Sequence, residues 1–189
     1  MLNISDLQTG TNIVYQGATH QVVYREHSKI GRGGAILRTK LRNLSTGALT
    51  DTTFKGNEQL EEADISRSKA QFTYKDSSGY NFMDTTSFEQ FGLPQDRLGR
   101  SAEFLIEAME VDVLNWNGQA INIVPPIKVE LKVSQTEPAV RGNTAQGSVS
   151  KPATLETGAK VQVPIFISPG DMIRVNTETG EYVERVNKN

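Results

Sequence analysis

Apolar residues in this chain recur at every second position in short runs, and glycine-bearing turn signals break each run almost as soon as it forms. A period of two buries one face of a strand and leaves the other to solvent, so the predicted fold class is all-β. Asn12–Tyr15 and residues 21–25, 35–42 and 52–55 read as strands. Gln16-Gly17, a glycine-rich loop at 27–34 and Ser45-Thr46-Gly47 separate them, which suits a small β-barrel of SH3-like size. Residues 58–68 are mostly charged and read as a linker, with a first boundary near residue 65.

The pattern then repeats twice. Residues 70–75 and 80–84 form a hairpin across Asp76-Ser77-Ser78-Gly79, and 87–95 read as loop. Residues 102–109 read as a helical turn or a strand, and 111–116 and 120–124 as strands joined by Asn117-Gly118, a pair suited to a type I′ turn. Trp116, the only tryptophan, is expected as a core or rim anchor. Pro125-Pro126 interrupts the pattern. A third module follows, with strands at 129–133, 159–167, 172–175 and 182–186, a long polar loop at 142–152 and a last turn at 177–180. The expected division is 1–65, 66–128 and 129–189.

Composition narrows the function classes. With 189 residues and 37% hydrophobic content the chain is globular, and no apolar run approaches the roughly 20 residues that span a bilayer, so no membrane partner is expected. The start, Met1-Leu2-Asn3-Ile4, lacks a basic and then apolar leader, and there is no cysteine, which together predict a cytoplasmic protein. His20 and His27 lie apart, without a serine or cysteine motif beside them, and no dense carboxylate set suggests a metal. The glycine-rich loop lacks the Gly-Lys-Ser/Thr ending of a phosphate loop and leads into a strand. No enzyme, cofactor or metal site is expected.

Net charge is -2, yet the cations are not spread evenly. Arg25, Lys29, Arg32, Arg38, Lys40 and Arg42 face the single acid Glu26 within one stretch, and Glu58, Glu61, Glu62 and Asp64 crowd the segment beyond it. Arg and Lys neutralise phosphate, and Arg can clamp it through two parallel hydrogen bonds, so this stretch reads as an RNA-binding hairpin or, from charge alone, as a solvated hairpin with a basic face. Alternation forbids Arg25, Lys29, Arg38, Lys40 and Arg42 from sharing one face. Gly31, Gly33 and Gly34 can supply positive φ at the loop, which holds Arg32 outward at a basic tip.

Several motifs in order resemble those of bacterial elongation factor P over nearly the full length. They are Lys29, Gly31-Arg32-Gly33 and Ala35; then Arg38, Lys40-Leu41-Arg42-Asn43 and Thr46-Gly47; Thr53-Phe54-Lys55; Phe82-Met83; and Trp116-Asn117-Gly118-Gln119. Lys151-Pro152-Ala153-Thr154, Val163-Pro164, Gly170-Asp171 and Gly180-Glu181-Tyr182-Val183 with Arg185 complete the set. The resemblance implies an SH3-like, KOW-like domain followed by two OB-type barrels in an L-shaped, tRNA-like arrangement. It implies a monomer that binds the ribosome between the P and E sites, with rRNA and peptidyl-tRNA as partners, and that relieves stalls at consecutive prolines by positioning the tRNA.

By the same resemblance Arg32 contacts the acceptor end of peptidyl-tRNA, supported by Lys29, Gly31, Gly33 and Gly34. Gly142, Asn143 and Thr144 belong to a loop near the E-site codon, and Tyr182 with Arg185 to a pair that meets the small subunit or tRNA. The chain departs from the best-known tip, Lys-Pro-Gly-Lys-Gly, because Arg32 stands in place of the modified lysine and Ile30 in place of proline. Lysine-directed enzymes cannot act on a guanidinium. The arginine-bearing branch of the family implies a rhamnosyltransferase acting on Arg32, with a bare arginine as the alternative. An elongation-factor-P-like paralogue and a general RNA-binding β protein are the competing readings of the chain.

Overall fold

The structure is a computed structural model that describes residues 1–28, 36–56, 58–137 and 150–186. Three antiparallel sheets follow one another along the chain and share no strand. The first joins β1 (Leu2–Asn3), β2 (Asn12–Tyr15), β3 (Ala18–Ser28), β4 (Ile36–Asn43), β5 (Leu49–Lys55) and β6 (Gln59–Glu62) in the order β1-β6-β2-β3-β4-β5. Gln16 and Gly17 both take positive φ, at 51° and 77°, the geometry whose twist matches a two-residue hairpin. Leu37, Thr39 and Leu41 of β4 point inward, the two leucines packing with Ile13, Val22 and Phe54 and the Thr39 hydroxyl donating to the Thr52 carbonyl, and the residues between them point out.

The expected linker at 58–68 is instead two strands. β6 closes the first sheet against both β1 and β2, and residue 65 begins the second sheet. Composition hides β6 because a single inward side chain, Leu60 at 8% exposure, is enough when the backbone ladder does the rest. Its glutamates simply face water.

The second sheet contains β7 (Ile65–Lys75), β8 (Tyr80–Asp84), β9 (Gln90–Leu93), β10 (Glu110–Trp116) and β11 (Gln119–Val124), ordered β11-β10-β7-β8-β9. Phe72, Phe82, Val111, Val113 and Ile123 fill its core, and the Phe82 and Phe91 rings stack at 5.5 Å. β9 falls where a loop is expected, because four residues are too few for alternation to register; it pairs Gln90 to Leu93 with Met83 to Tyr80. Gly79 is obligatory there, since a Cβ would lie 2.4 Å from the Leu93 carbonyl oxygen and φ is 143°. Between β9 and β10 runs a helical turn, Gln95–Leu98, and a 3-10 turn, Gly99–Phe104, which settles the open choice for residues 102–104 in favour of helix.

The third sheet contains β12 (Lys128–Thr136), β13 (Ser150–Leu155), β14 (Lys160–Pro164), β15 (Met172–Asn176) and β16 (Tyr182–Arg185), ordered β14-β13-β12-β15-β16. Lys151 and Pro152, expected in the polar loop, pair with Val163 and Gln162 in the β13–β14 ladder. Phe104 leaves its own module and is buried with Leu131, Val133 and Ile173, and beside it Ile106 packs on the third core while Met109 packs against the cores of both modules. At the other seam Trp116 and Ile65 pack on Leu44, Leu114 and Ile121.

Two turns of the second module are built around carboxylates. Asp76 accepts from the Ser78 hydroxyl at 2.6 Å, the Ser78 and Gly79 N–H groups at 2.8 and 3.1 Å and Asn81 Nδ2 at 3.0 Å. The Ser78 hydroxyl above all holds its pKa below the usual range. Asp84 is lowered in the same way by the Ser87 and Thr86 N–H groups. A lowered carboxyl stabilises the fold above its unfolded value of roughly 3.9, and that contribution disappears as pH falls through the folded value. The urea midpoint of the wild type should therefore drop below roughly pH 4, and Asp76→Asn with Asp84→Asn should flatten the drop. An unchanged acid slope in the double variant would show that these turns do not set it.

Candidate nucleic-acid interface

A strand with three cations at alternate positions forms a ridge. Arg38, Lys40 and Arg42 occupy the outward positions of β4, with Cα atoms roughly 7 Å apart along the strand. Across the ladder Arg38 stands opposite Glu26 and Thr53, Lys40 opposite Tyr24 and Asp51, and Arg42 opposite Gln21 and Leu49. Lys40 lies 3.9 Å from the Asp51 carboxylate, at the limit of an ion pair, and both side chains are well exposed. Among the described residues Arg38 and Arg42 make no ion pair. Their donors are thus open to an anion, and the exposed Tyr24 ring lies on the same face.

Arg25 is not part of this ridge. A bulge between Val22 and Tyr24 shifts the β3 register so that Arg25 stands opposite the buried Thr39, and its guanidinium donates to the Leu7 carbonyl oxygen at 2.9 Å. The expectation that the cations divide between two faces thus takes a definite form: three on one face of β4, and Arg25 on the other, tied to the first module's own backbone. Lys29, Gly31, Arg32, Gly33 and Gly34 lie outside the described residues; β3 and β4 pair up to Ser28 and Ile36, the two ends between which that segment runs. Gly142, Asn143 and Thr144 also lie outside the described residues.

In the third module Tyr182 is half-buried against the core formed by Val129, Leu131 and Val175. Arg185 is exposed and lies 3.7 Å from Asp171. Arg174 bridges Glu130 and Glu184 across the sheet, and the hydrogen bond it donates to Glu130 holds its guanidinium firmly charged.

The structure also gathers residues that sequence reasoning did not select. A crevice of about 420 Å³ opens where the three modules meet, lined by Arg42, Arg97, Arg100, Asn122, Thr177 and Glu178. Asn122 Nδ2 donates to the Leu44 and Ser45 carbonyls at 3.0 and 3.3 Å, fastening the first module to the second. An amide inside an otherwise apolar return strand is a faint signal for such a fastening. Arg97 and Arg100 carry no local signal, because only the folded chain brings the 95–104 turns beside β4. Among the described residues no cluster of His, Cys, Asp and Glu could hold a metal, and no helix is long and apolar enough to cross a membrane.

Comparison with known proteins bears directly on this geometry. Residues 3–60 match the Elongation factor P (EF-P) KOW-like domain, 65–123 the Elongation factor P (EF-P) OB domain, and 129–185 the domain described as Elongation factor P, C-terminal. The chain is 45% identical over 185 residues to Elongation factor P of Symbiobacterium thermophilum, covering 98% of this chain and 100% of that one.

The chain belongs to the elongation factor P family. Elongation factor P of Natranaerobius thermophilus is 46% identical over 98% of both chains, and that of Synechocystis 44% identical over 99% of this chain and all of the other. In fold alone the chain is similar to Eukaryotic translation initiation factor 5A from Methanococcus jannaschii, at TM-score 0.53 and 22% identity over 66% of this chain and 91% of that one. The all-β architecture, with a KOW-like module and an OB module, and the role of a translation elongation factor are therefore those of the elongation factor P family.

Proposed function

We propose that the chain binds the ribosome between the P and E sites and speeds peptide-bond formation at consecutive prolines by positioning peptidyl-tRNA. On this reading it divides into domains 1–65, 66–128 and 129–189 in an L; three sheets with no common strand support a three-way division, the second sheet starting at Ile65 and the third at Lys128. It works in the cytoplasm as a monomer and performs no chemistry of its own. Proline is a poor nucleophile with a constrained ring, so holding the reacting groups together is an entropic contribution to rate. The observation that carries the reading is the ridge of Arg38, Lys40 and Arg42 on the strand that leads directly from the Arg32 loop. Phosphate contacts along that ridge supply affinity, and Arg32 addresses the acceptor end of the tRNA. Gly142, Asn143 and Thr144 with Tyr182 and Arg185 serve the far end of the same ligand. A rhamnosyltransferase is the proposed partner for modifying Arg32.

Binding of the full chain to ribosomes at graded salt tests this. Replacing Arg38 and Arg42 by alanine should weaken binding and make the plot of log affinity against log salt shallower by about 1 for each phosphate that is no longer neutralised. A slope equal to that of the wild type would remove the β4 ridge from the interface.

A further inference from the structure

Each sheet carries one turn of the same construction, begun by Asn43, Asp84 and Asn176. In each, the side-chain oxygen of the first residue accepts two backbone N–H groups: Ser45 and Thr46 at 2.9 and 3.0 Å, Thr86 and Ser87 at 2.8 and 2.9 Å, Glu178 and Thr179 at 2.9 and 3.2 Å. The N–H of the residue four further on donates to the first carbonyl at 2.8, 3.0 and 2.7 Å, and the first N–H donates to the next carbonyl at 2.8, 2.9 and 2.9 Å. That residue has positive φ in all three turns, at 75°, 60° and 71°. Glycine occupies it in the first and third, as Gly47 and Gly180. In the second it is Phe88.

A bulky L residue is strained at such a φ, and a strained residue persists where something else favours it. Packing within the chain does not, since Phe88 is 69% exposed. The two glycine turns are joints: the first receives Asn122 on its Leu44 and Ser45 carbonyls, and in the third Thr177 bonds to Pro126 and Ile127 while Gly180 lies against the Arg100 guanidinium. The second turn is exposed from Thr85 to Glu89 and, among the described residues, forms hydrogen bonds only within its own module.

Local charge selects the class of partner. Thr85 fastens the turn to the Lys69 carbonyl, and the Lys69 ammonium is already held by Asp112 at 2.7 Å and Glu110 at 3.5 Å. Asp84 and Glu89 add two further carboxylates, so the surroundings of the ring repel phosphate and attract cations. A guanidinium stacked on the phenyl face beside Glu89 satisfies both groups.

We infer that the Phe88 turn is a docking point for a basic protein surface, one arginine of which lies on the Phe88 ring beside Glu89. The inference rests on the ribosomal reading for where that protein is found. In the test, the full chain carries a photoreactive benzophenone amino acid at position 88 and is irradiated with 70S ribosomes holding P-site tRNA, while Phe88→Gly and Glu89→Lys are measured for ribosome binding. The expected adduct is with a ribosomal protein, each variant binds roughly tenfold more weakly, and Phe88→Gly has a urea midpoint equal to or above that of the wild type. An adduct with rRNA or tRNA, undiminished binding of the variants, or a lowered midpoint for Phe88→Gly would overturn the inference. A benzophenone-bearing chain that sediments with ribosomes yet gives no protein adduct defeats this inference alone; a wild-type chain that does not sediment defeats the ribosomal reading, and the docking point with it.

Discussion

Replacing Arg32 by alanine should reduce synthesis through Pro-Pro-Pro by about 10²-fold in a reconstituted translation assay, with the urea midpoint unchanged. The expected size follows from what misplacement of reacting groups costs when catalysis is positional. Folding should be indifferent to the change, because the three cores are built from other residues: Leu37, Leu41 and Phe54 in the first, Phe72 and Phe82 in the second, Leu131 and Ile173 in the third. Arg32→Lys keeps the charge but loses the planar fork and any arginine-directed sugar, so it should recover only part of the rescue. The mass of the native tip peptide distinguishes a rhamnosylated guanidinium from a bare one. An alanine variant as active as the wild type would refute the role given to the tip.

Phe54→Ala should destabilise the first module by about 3–5 kcal/mol, the usual range for truncating a buried ring. Phe54 is 1% exposed, lies opposite Leu37 in the β4–β5 ladder and meets the Tyr15 ring edge-on at 5.6 Å. Its removal loosens the sheet that carries both the Arg38, Lys40 and Arg42 ridge and the strands leading to the Arg32 loop, so ribosome binding should fall along with stability. The second and third cores share no residue with this one, so the variant should unfold in separate steps rather than one. Trp116 reports the event: the ring packs beside Leu44 at the seam, and its emission should shift to the red when the first module melts. A single cooperative transition, or a midpoint within a few tenths of a unit of urea of the wild type, would contradict this.

Much of the interface was legible in residue order because it lies on one hairpin. Alternation along residues 35–42 places Leu37, Thr39 and Leu41 on one side and Arg38, Lys40 and Arg42 on the other, and the structure shows that division. Asn117-Gly118 was equally legible, since both residues take positive φ, at 50° and 75°, where that pair is favoured. Arg25 was not. Its face depends on a bulge at Val22 and Tyr24 that no local pattern announces, and a one-residue slip of register turns every later side chain over. β6 and β9 were hidden for a related reason, being strands whose reason to exist is the neighbour that accepts their hydrogen bonds.

By itself, residue order determined the class of each short segment and the inner and outer faces of most strands, because those follow from the two-residue period of an extended chain and the φ preferences of glycine and asparagine. Only the tertiary structure decided how the modules meet: Phe104 entering the third core, Asn122 reaching the Leu44 and Ser45 carbonyls, Arg42 sharing a crevice with Arg97 and Arg100. These contacts join residues dozens of positions apart. Their stability comes from surface and polar groups removed from water across a seam, a quantity that no window along the chain contains.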